Sequence, residues 1–171
     1  MQNGSIVLIG MAGVGKSTVG RLLSCALRCR FIDVDDDIVA KSGKALQDII
    51  DDDGEEALLQ IEKQRMFAID MSCPVVVAPG GSIIYHPDLM EHLKQHATLV
   101  YLEDSFETIT ARLGDISKRG IIGLKSKTLK EIHEERKPLY SRWADLTLNC
   151  RDKSPEIIVK EILEYYLHTD R

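Results

Sequence analysis

Residues Gly10-Met-Ala-Gly-Val-Gly15-Lys16-Ser17 set three glycines, a lysine and a hydroxyl at the spacing G-x-x-x-x-G-K-S. An apolar run, Ser5-Ile-Val-Leu-Ile9, precedes them and predicts a buried strand over 5–9. Apolar residues at helical spacing follow and predict a helix over 16–28. Strand, glycine loop and helix in this order make a phosphate-binding loop. Glycines let backbone N–H groups close around a polyphosphate, and the helix N-terminus adds partial positive charge. In such a loop Gly13, Gly15, Lys16, Ser17 and Thr18 surround the phosphates. Lys16 reaches the β- and γ-phosphates, and the Ser17 hydroxyl serves Mg²⁺. The loop points to ATP or GTP and leaves open what receives the phosphate.

The rest of the chain repeats the alternation. Strand-like runs at 30–33, 74–78, 98–102 and 145–148 are interleaved with helical segments at 34–42, 45–51, 54–71, 87–95, 105–113, 128–143 and 155–168. That order predicts an α/β fold with a parallel sheet. Asp53 before Gly-Glu-Glu, Ser105 before Phe-Glu-Thr, and Pro155 at a first helical position supply start signals. With 171 residues and no linker, the sequence predicts one domain over 1–171. A net charge of −5 argues against nucleic acid or an anionic membrane as partner. No apolar stretch has the length of a membrane span. A strand beginning at residue 5 leaves no place for a secretory leader. Cys25, Cys29, Cys73 and Cys150 form no C-x-x-C pair and read as reduced, small hydrophobes. Together these predict a cytoplasmic protein.

Phe31-Ile-Asp33-Val-Asp35-Asp36-Asp37 follows the second strand. Alternation along an extended segment would point Asp33 and Asp35 the same way, beyond the carboxyl end of the sheet where such proteins bind ligands. One carboxylate can hold a Mg²⁺ water and the other can orient or deprotonate an acceptor hydroxyl. Asp36 and Asp37 read as a solvated helix start. Gly80 and Gly81 follow a buried strand, where backbone can approach a ligand closely. The segment 114–127 carries glycines and basic residues, and a lid is the natural reading of that length. Arg119 in this segment, and Arg136 near a helix end, have the donor fork that suits a phosphate or carboxylate.

Taken as an ordered set, these motifs resemble the shikimate kinase family of P-loop small-molecule kinases. The likeness rests on Gly10 to Thr18, Phe31 to Asp35, Gly54-Glu55 to Glu62, and Gly80-Gly81. It continues through Arg119, Arg136 to Tyr140, and Ala144-Asp145. The resemblance implies a three-layer α/β/α fold whose five-stranded parallel sheet has the order 2-3-1-4-5. It also implies a monomer, a helical acceptor-binding segment near 34–63, and a lid near 114–127. The implied reaction is ATP-dependent phosphorylation of the shikimate 3-hydroxyl. By resemblance, Lys16 and Arg119 contact the transferring phosphate, Ser17 and Asp33 serve Mg²⁺, and Asp35 holds the accepting hydroxyl. Gly80, Gly81 and Arg136 contact the acceptor, Glu62 supports the site, and Arg112 and Pro155 bracket the adenine.

The acceptor half departs from the family pattern. Leu58 and Leu59 stand where the family writes an aromatic residue and a carboxylate-clamping arginine. The glycine turn is Pro79-Gly80-Gly81, and the lid sequence is Arg119-Gly120-Ile121 where the family writes R-P-L. Lys44, Gln60 and Lys63 are the side chains that can replace the missing charge. A kinase of another small polyhydroxy acceptor therefore stands beside the shikimate reading. A non-catalytic nucleotide-binding module fits less well, because Lys16, Ser17, Asp33 and Arg119 are all intact.

Overall fold

Five short strands line up in one direction: β1 (Ile6–Ile9), β2 (Arg30–Asp33), β3 (Val75–Ala78), β4 (Thr98–Glu103) and β5 (Leu146–Asn149). The structure, a computed structural model, describes residues 4–169. The sheet order is β2-β3-β1-β4-β5, and all four neighbouring pairs are parallel. β1 and β3 are the unbroken apolar runs IVLI and VVVA, buried at every position. A strand covered on both faces needs that composition. The edge strands β2 and β5 are only partly covered and carry polar residues.

Eight helices surround the sheet: α1 (Lys16–Leu27), α2 (Val34–Ser42), α3 (Leu46–Asp53), α4 (Glu55–Phe67), α5 (Pro87–His96), α6 (Phe106–Leu113), α7 (Leu129–Trp143) and α8 (Pro155–Thr169). α1 packs on β2, β3 and α8, while α5 and α7 lie against β4. Gly20 permits the close approach of α1, since a Cβ there would overlap the Phe31 ring. The chain leaves β1 toward one edge and, after β3, turns toward the other. The loops after β1, β2 and β3 therefore open a crevice at the carboxyl ends of the strands. Among the described residues, no helix is long and apolar enough to cross a membrane.

Most expected boundaries hold to within a residue or two, and the differences have local causes. α4 stops at Phe67, short of residue 71, because the Asp70 carboxylate captures the Ser72 N–H at 2.9 Å and turns the chain. Asp53 is not a cap. It ends α3, and Gly54 at φ 93° separates α3 from α4. Ser105 caps α6 as its sequence predicts, and Pro155 opens α8. Thr128 and Glu131 form a reciprocal capping box at the start of α7. All four cysteines are free, but only Cys150 is buried; Cys25 and Cys73 are exposed, so they do not act as core residues.

Candidate active site

The phosphate loop folds as its glycines require. Gly10, Gly13 and Gly15 have φ of 144°, 84° and 109°, a region that side-chain-bearing residues avoid. Lys16 is the first residue of α1 and is only 9% exposed. Its ammonium donates to the Gly10 and Met11 carbonyls at 2.8 and 2.9 Å. Burial lowers its pKa to about 8, while Asp35 and Asp33 pull in the opposite direction. Lys16 lines a cavity of about 340 Å³ together with Gly13, Gly15, Ser17, Thr18, Asp33, Asp35, Arg112 and Arg119. Arg112 donates to the Val14 carbonyl and pairs with the buried Asp104, both at 3.3 Å. Arg119 donates from Nε to the Leu113 carbonyl at 3.2 Å. Pro155 is not among the residues lining this cavity.

Asp33 and Asp35 converge by a route other than strand alternation. β2 ends at Asp33, and Val34 already begins α2. Asp33 is thus the N-cap of α2 and accepts the Asp36 N–H at 3.3 Å, while Asp35 sits in the first helical turn. The strand-to-helix corner, rather than a period of two, brings both carboxylates to the crevice. The Ser17 hydroxyl donates to the other Asp33 oxygen at 2.5 Å. Asp35 is different: its Oδ1 is shielded from solvent and has no hydrogen-bond partner. Burial raises its pKa to about 6; Lys16 opposes this, and Asp33 and Asp36 add to it. Asp36 is exposed and pairs with Arg21 at 3.2 Å. Asp37 is more engaged than a solvated helix start, being half-buried between Lys41 and Arg65.

Ser17 and Asp33 offer the oxygen donors that a small hard cation takes. Among the described residues, no group of three or more His, Cys, Asp or Glu side chains forms a cage of its own. A Mg²⁺ ion held here would complete its shell with water and phosphate oxygens, as this ion does at nucleotide sites.

The glycine turn after β3 threads between acidic and basic groups. A Cβ on Gly80 would overlap Glu62 Oε1 and lie 3.2 Å from Asp35 Oδ1. A Cβ on Gly81 would lie 3.0 Å from both Arg136 Nη1 and the Tyr140 hydroxyl. Arg136 is 2% exposed and donates from Nε to Tyr85 Oη at 3.2 Å and from Nη2 to the Ile122 carbonyl at 2.8 Å. Tyr85 in turn donates to Glu135 at 2.6 Å, and Tyr140 donates to the Gly81 carbonyl at 2.6 Å. Ser82, Tyr85 and Tyr140 are site residues that motif reading left without a role. Tyr140 was accessible from its spacing, four residues beyond Arg136 on the same helical face. Tyr85 depends on a 3₁₀ turn over Ile83–Tyr85 that leaves no periodic signal.

Glu62 is 2% exposed and accepts a hydrogen bond from the Ser82 hydroxyl. Burial first, then the Asp35 charge, raises its pKa to about 7. A raised carboxyl pKa means the folded chain keeps a proton that the unfolded chain has lost. Stability therefore falls as pH rises through the interval from the ordinary carboxyl value to about 7. Glu62→Gln is expected to remove that fall, by on the order of 3 kcal/mol between pH 4.5 and 7.5. Urea unfolding across that range checks it; parallel curves for the two proteins would refute the assignment.

Segment 114–127 is docked on the helices formed by residues 34–63. Ile121 and Ile122 are buried. The Gly123 N–H donates to Glu55 at 2.9 Å, and Lys125 donates to the Ile50 carbonyl at 3.2 Å. Gly120 has φ 61°, which a proline ring cannot adopt, so this segment follows a backbone path that R-P-L could not. Leu58 is wholly in the core, and Leu59 packs partly against it. A second cavity of about 400 Å³ shares Ser17, Asp33, Asp35 and Arg119 with the first and extends to Val39, Gly43, Lys44, Ala45, Leu46 and Lys118.

A phosphate loop joined to a carboxylate pair and a second cavity, on this sheet order, defines a P-loop kinase of small molecules. Comparison with known proteins narrows the class. The chain belongs to the shikimate kinase family, whose model matches residues 12–167. The shikimate kinase of Persephonella marina is 35% identical over 159 residues, 93% of this chain and 96% of that one. That of Thermobifida fusca is 37% identical over 161 residues, covering 91% and 93%. The structure of the Acinetobacter baumannii shikimate kinase in complex with shikimate matches with a TM-score of 0.89 at 28% identity, over 97% of this chain and 94% of that one. A gluconokinase from Sinorhizobium meliloti shares the fold, with a TM-score of 0.57 at 20% identity.

Proposed function

We propose that this protein transfers the γ-phosphoryl group of ATP to the 3-hydroxyl of shikimate, giving ADP and shikimate 3-phosphate for aromatic amino acid synthesis. The observation that carries this reading is Asp35 Oδ1, buried and unpartnered in a cavity shared with the phosphate loop. A hydroxyl donating to that atom stands where an in-line attack on a phosphate held by Lys16 can begin. The acceptor oxygen bonds to the γ-phosphorus as the bond to the β–γ bridging oxygen breaks. The hydroxyl proton passes to Asp35, whose raised pKa suits it to that task near neutrality.

Lys16 and Arg119 stabilise charge spread over the transferring group. The backbone N–H groups of Gly13 and Gly15, with Thr18, hold the phosphates. Ser17 and Asp33 would hold Mg²⁺, which would neutralise phosphate charge. Arg112 and Pro155 flank the adenine. Gly80 and Gly81 let the acceptor lie close to the backbone, and Arg136 offers Nη1 toward its carboxylate. Segment 114–127 excludes water, the competing acceptor. We assign the reaction to a cytoplasmic monomer; four free cysteines and a net charge of −5 agree with that setting.

A kinase of another small polyhydroxy acceptor, less acidic or more apolar on one side, is the second reading, favoured by Leu59 standing in place of a charge. An ADP-release assay with Mg²⁺–ATP and shikimate, quinate or gluconate separates the two. The expected result is ADP formed in step with shikimate consumed. Saturable turnover of gluconate with none of shikimate would replace the first reading by the second.

A further inference from the structure

The acceptor end of the site lacks a cation at position 59, and three nearby side chains offer replacements. Their positions separate them. Gln60 donates its amide to Glu56 at 2.8 Å on the surface of α4. Lys63 is paired with Asp88 at 2.7 Å. Neither lines the cavities that hold Asp35. Lys44 does: it shares the wall of the 400 Å³ cavity with Asp33, Asp35, Lys118 and Arg119.

Arg136 does not make up the deficit alone. It is almost fully buried, and its Nε and Nη2 already donate to Tyr85 and the Ile122 carbonyl. Two of its five N–H donors are spent inside the protein, which reduces what it can offer a carboxylate. Lys44 is held by Asp52 at 2.8 Å and loosely by Asp53 at 3.7 Å. An ammonium has three donors, and a four-carbon stem can swing, so Lys44 keeps capacity for another anion. The cavity wall that Lys44 and Asp35 share also includes the apolar Val39, Ala45 and Leu46. That arrangement fits a compact ring or chain with a hydroxyl at one end and an acid at the other.

We propose that Lys44 is the specificity-determining cation of the acceptor cavity, selecting hydroxy acids by their anionic group in place of an arginine at position 59. This rests on the reading of the site as a kinase of a hydroxylated acid. Lys44→Ala is expected to raise the KM for shikimate about tenfold, the size of one charge-assisted contact at a half-exposed site. The rise is confined to that KM; the KM for ATP stays level, and the methyl ester of shikimate shows the same KM in both proteins. Lys44→Arg restores most of the loss. Gln60→Ala and Lys63→Ala leave the shikimate KM within twofold of the parent.

An unchanged shikimate KM in Lys44→Ala overturns the proposal. Equal losses for acid and ester also overturn it, because they mark a structural role. If the parent protein turns over gluconate or quinate and not shikimate, the proposed function fails while Lys44 is judged on that acid and its ester. If no acid is turned over, both fall together.

Discussion

Lys16→Met is expected to lower kcat by about a thousandfold, the cost of removing one preorganised charge from a transition state. Methionine matches the stem of lysine, so the loop keeps its packing and loses only the ammonium. In the parent that ammonium holds the Gly10 and Met11 carbonyls and offsets the charges of Asp35, Asp33 and Glu62. A phosphate arriving at the loop competes for the same donors, so the lysine is positioned before the nucleotide binds. Far-UV circular dichroism should be unchanged, and activity within tenfold of the parent would refute the assignment. The pKa of about 8 adds a second check. The folded chain sheds this proton at about pH 8, whereas the unfolded chain keeps it to 10.5. Stability from this group therefore rises with pH across that window. Over the same window kcat/KM for ATP should fall in the parent, as the free enzyme loses its charge.

Asp35→Asn should cost about 10² to 10⁴ in kcat, the range of a positioned general base. It should also stabilise the protein. Asp35 has its pKa raised to about 6, so its ionised form is disfavoured in the folded state. Its effect on stability is neutral below the ordinary carboxylate value and grows more unfavourable as pH rises to about 6. At pH 7 the asparagine variant escapes that cost, a gain on the order of 2 kcal/mol, partly offset by a less compensated Lys16. Thermal unfolding at pH 7 and pH 4.5 reads the difference: a higher Tm at the first and near equality at the second. A lower Tm at pH 7 would contradict the reading of Asp35 as a strained, functional carboxylate. The exchange of stability for function is common at active sites.

How legible the molecule was in its sequence depended on the range of the signal. The strands from Ile6 and Val75 are continuous apolar runs, and the glycines of the loop carry their backbone demand in their identity. These are local rules, and they located five strands and eight helices. Asp33 and Asp35 were found for an incomplete reason, since strand alternation cannot register that a helix begins at Val34. The long-range part was less visible. Ser82 meeting Glu62, Tyr85 meeting Arg136 and Ile122 entering the core each join segments that only the fold brings together. Segment 114–127 suggests a lid by its length, glycines and charges, whereas its anchoring rests on two buried isoleucines. Lys44, one of three equivalent candidates by sequence, became distinct once a cavity wall contained it and not the others.

Those two isoleucines set a population. Detaching segment 114–127 returns Ile121 and Ile122 to water, at about 1.5–3 kcal/mol each. The detached form is then roughly one molecule in 10² to 10⁴. Were the segment to close over the nucleotide as proposed, the apparent affinity would fall by the same factor. On the proposed lid reading, this hydrophobic anchor sets how rarely the segment stands open.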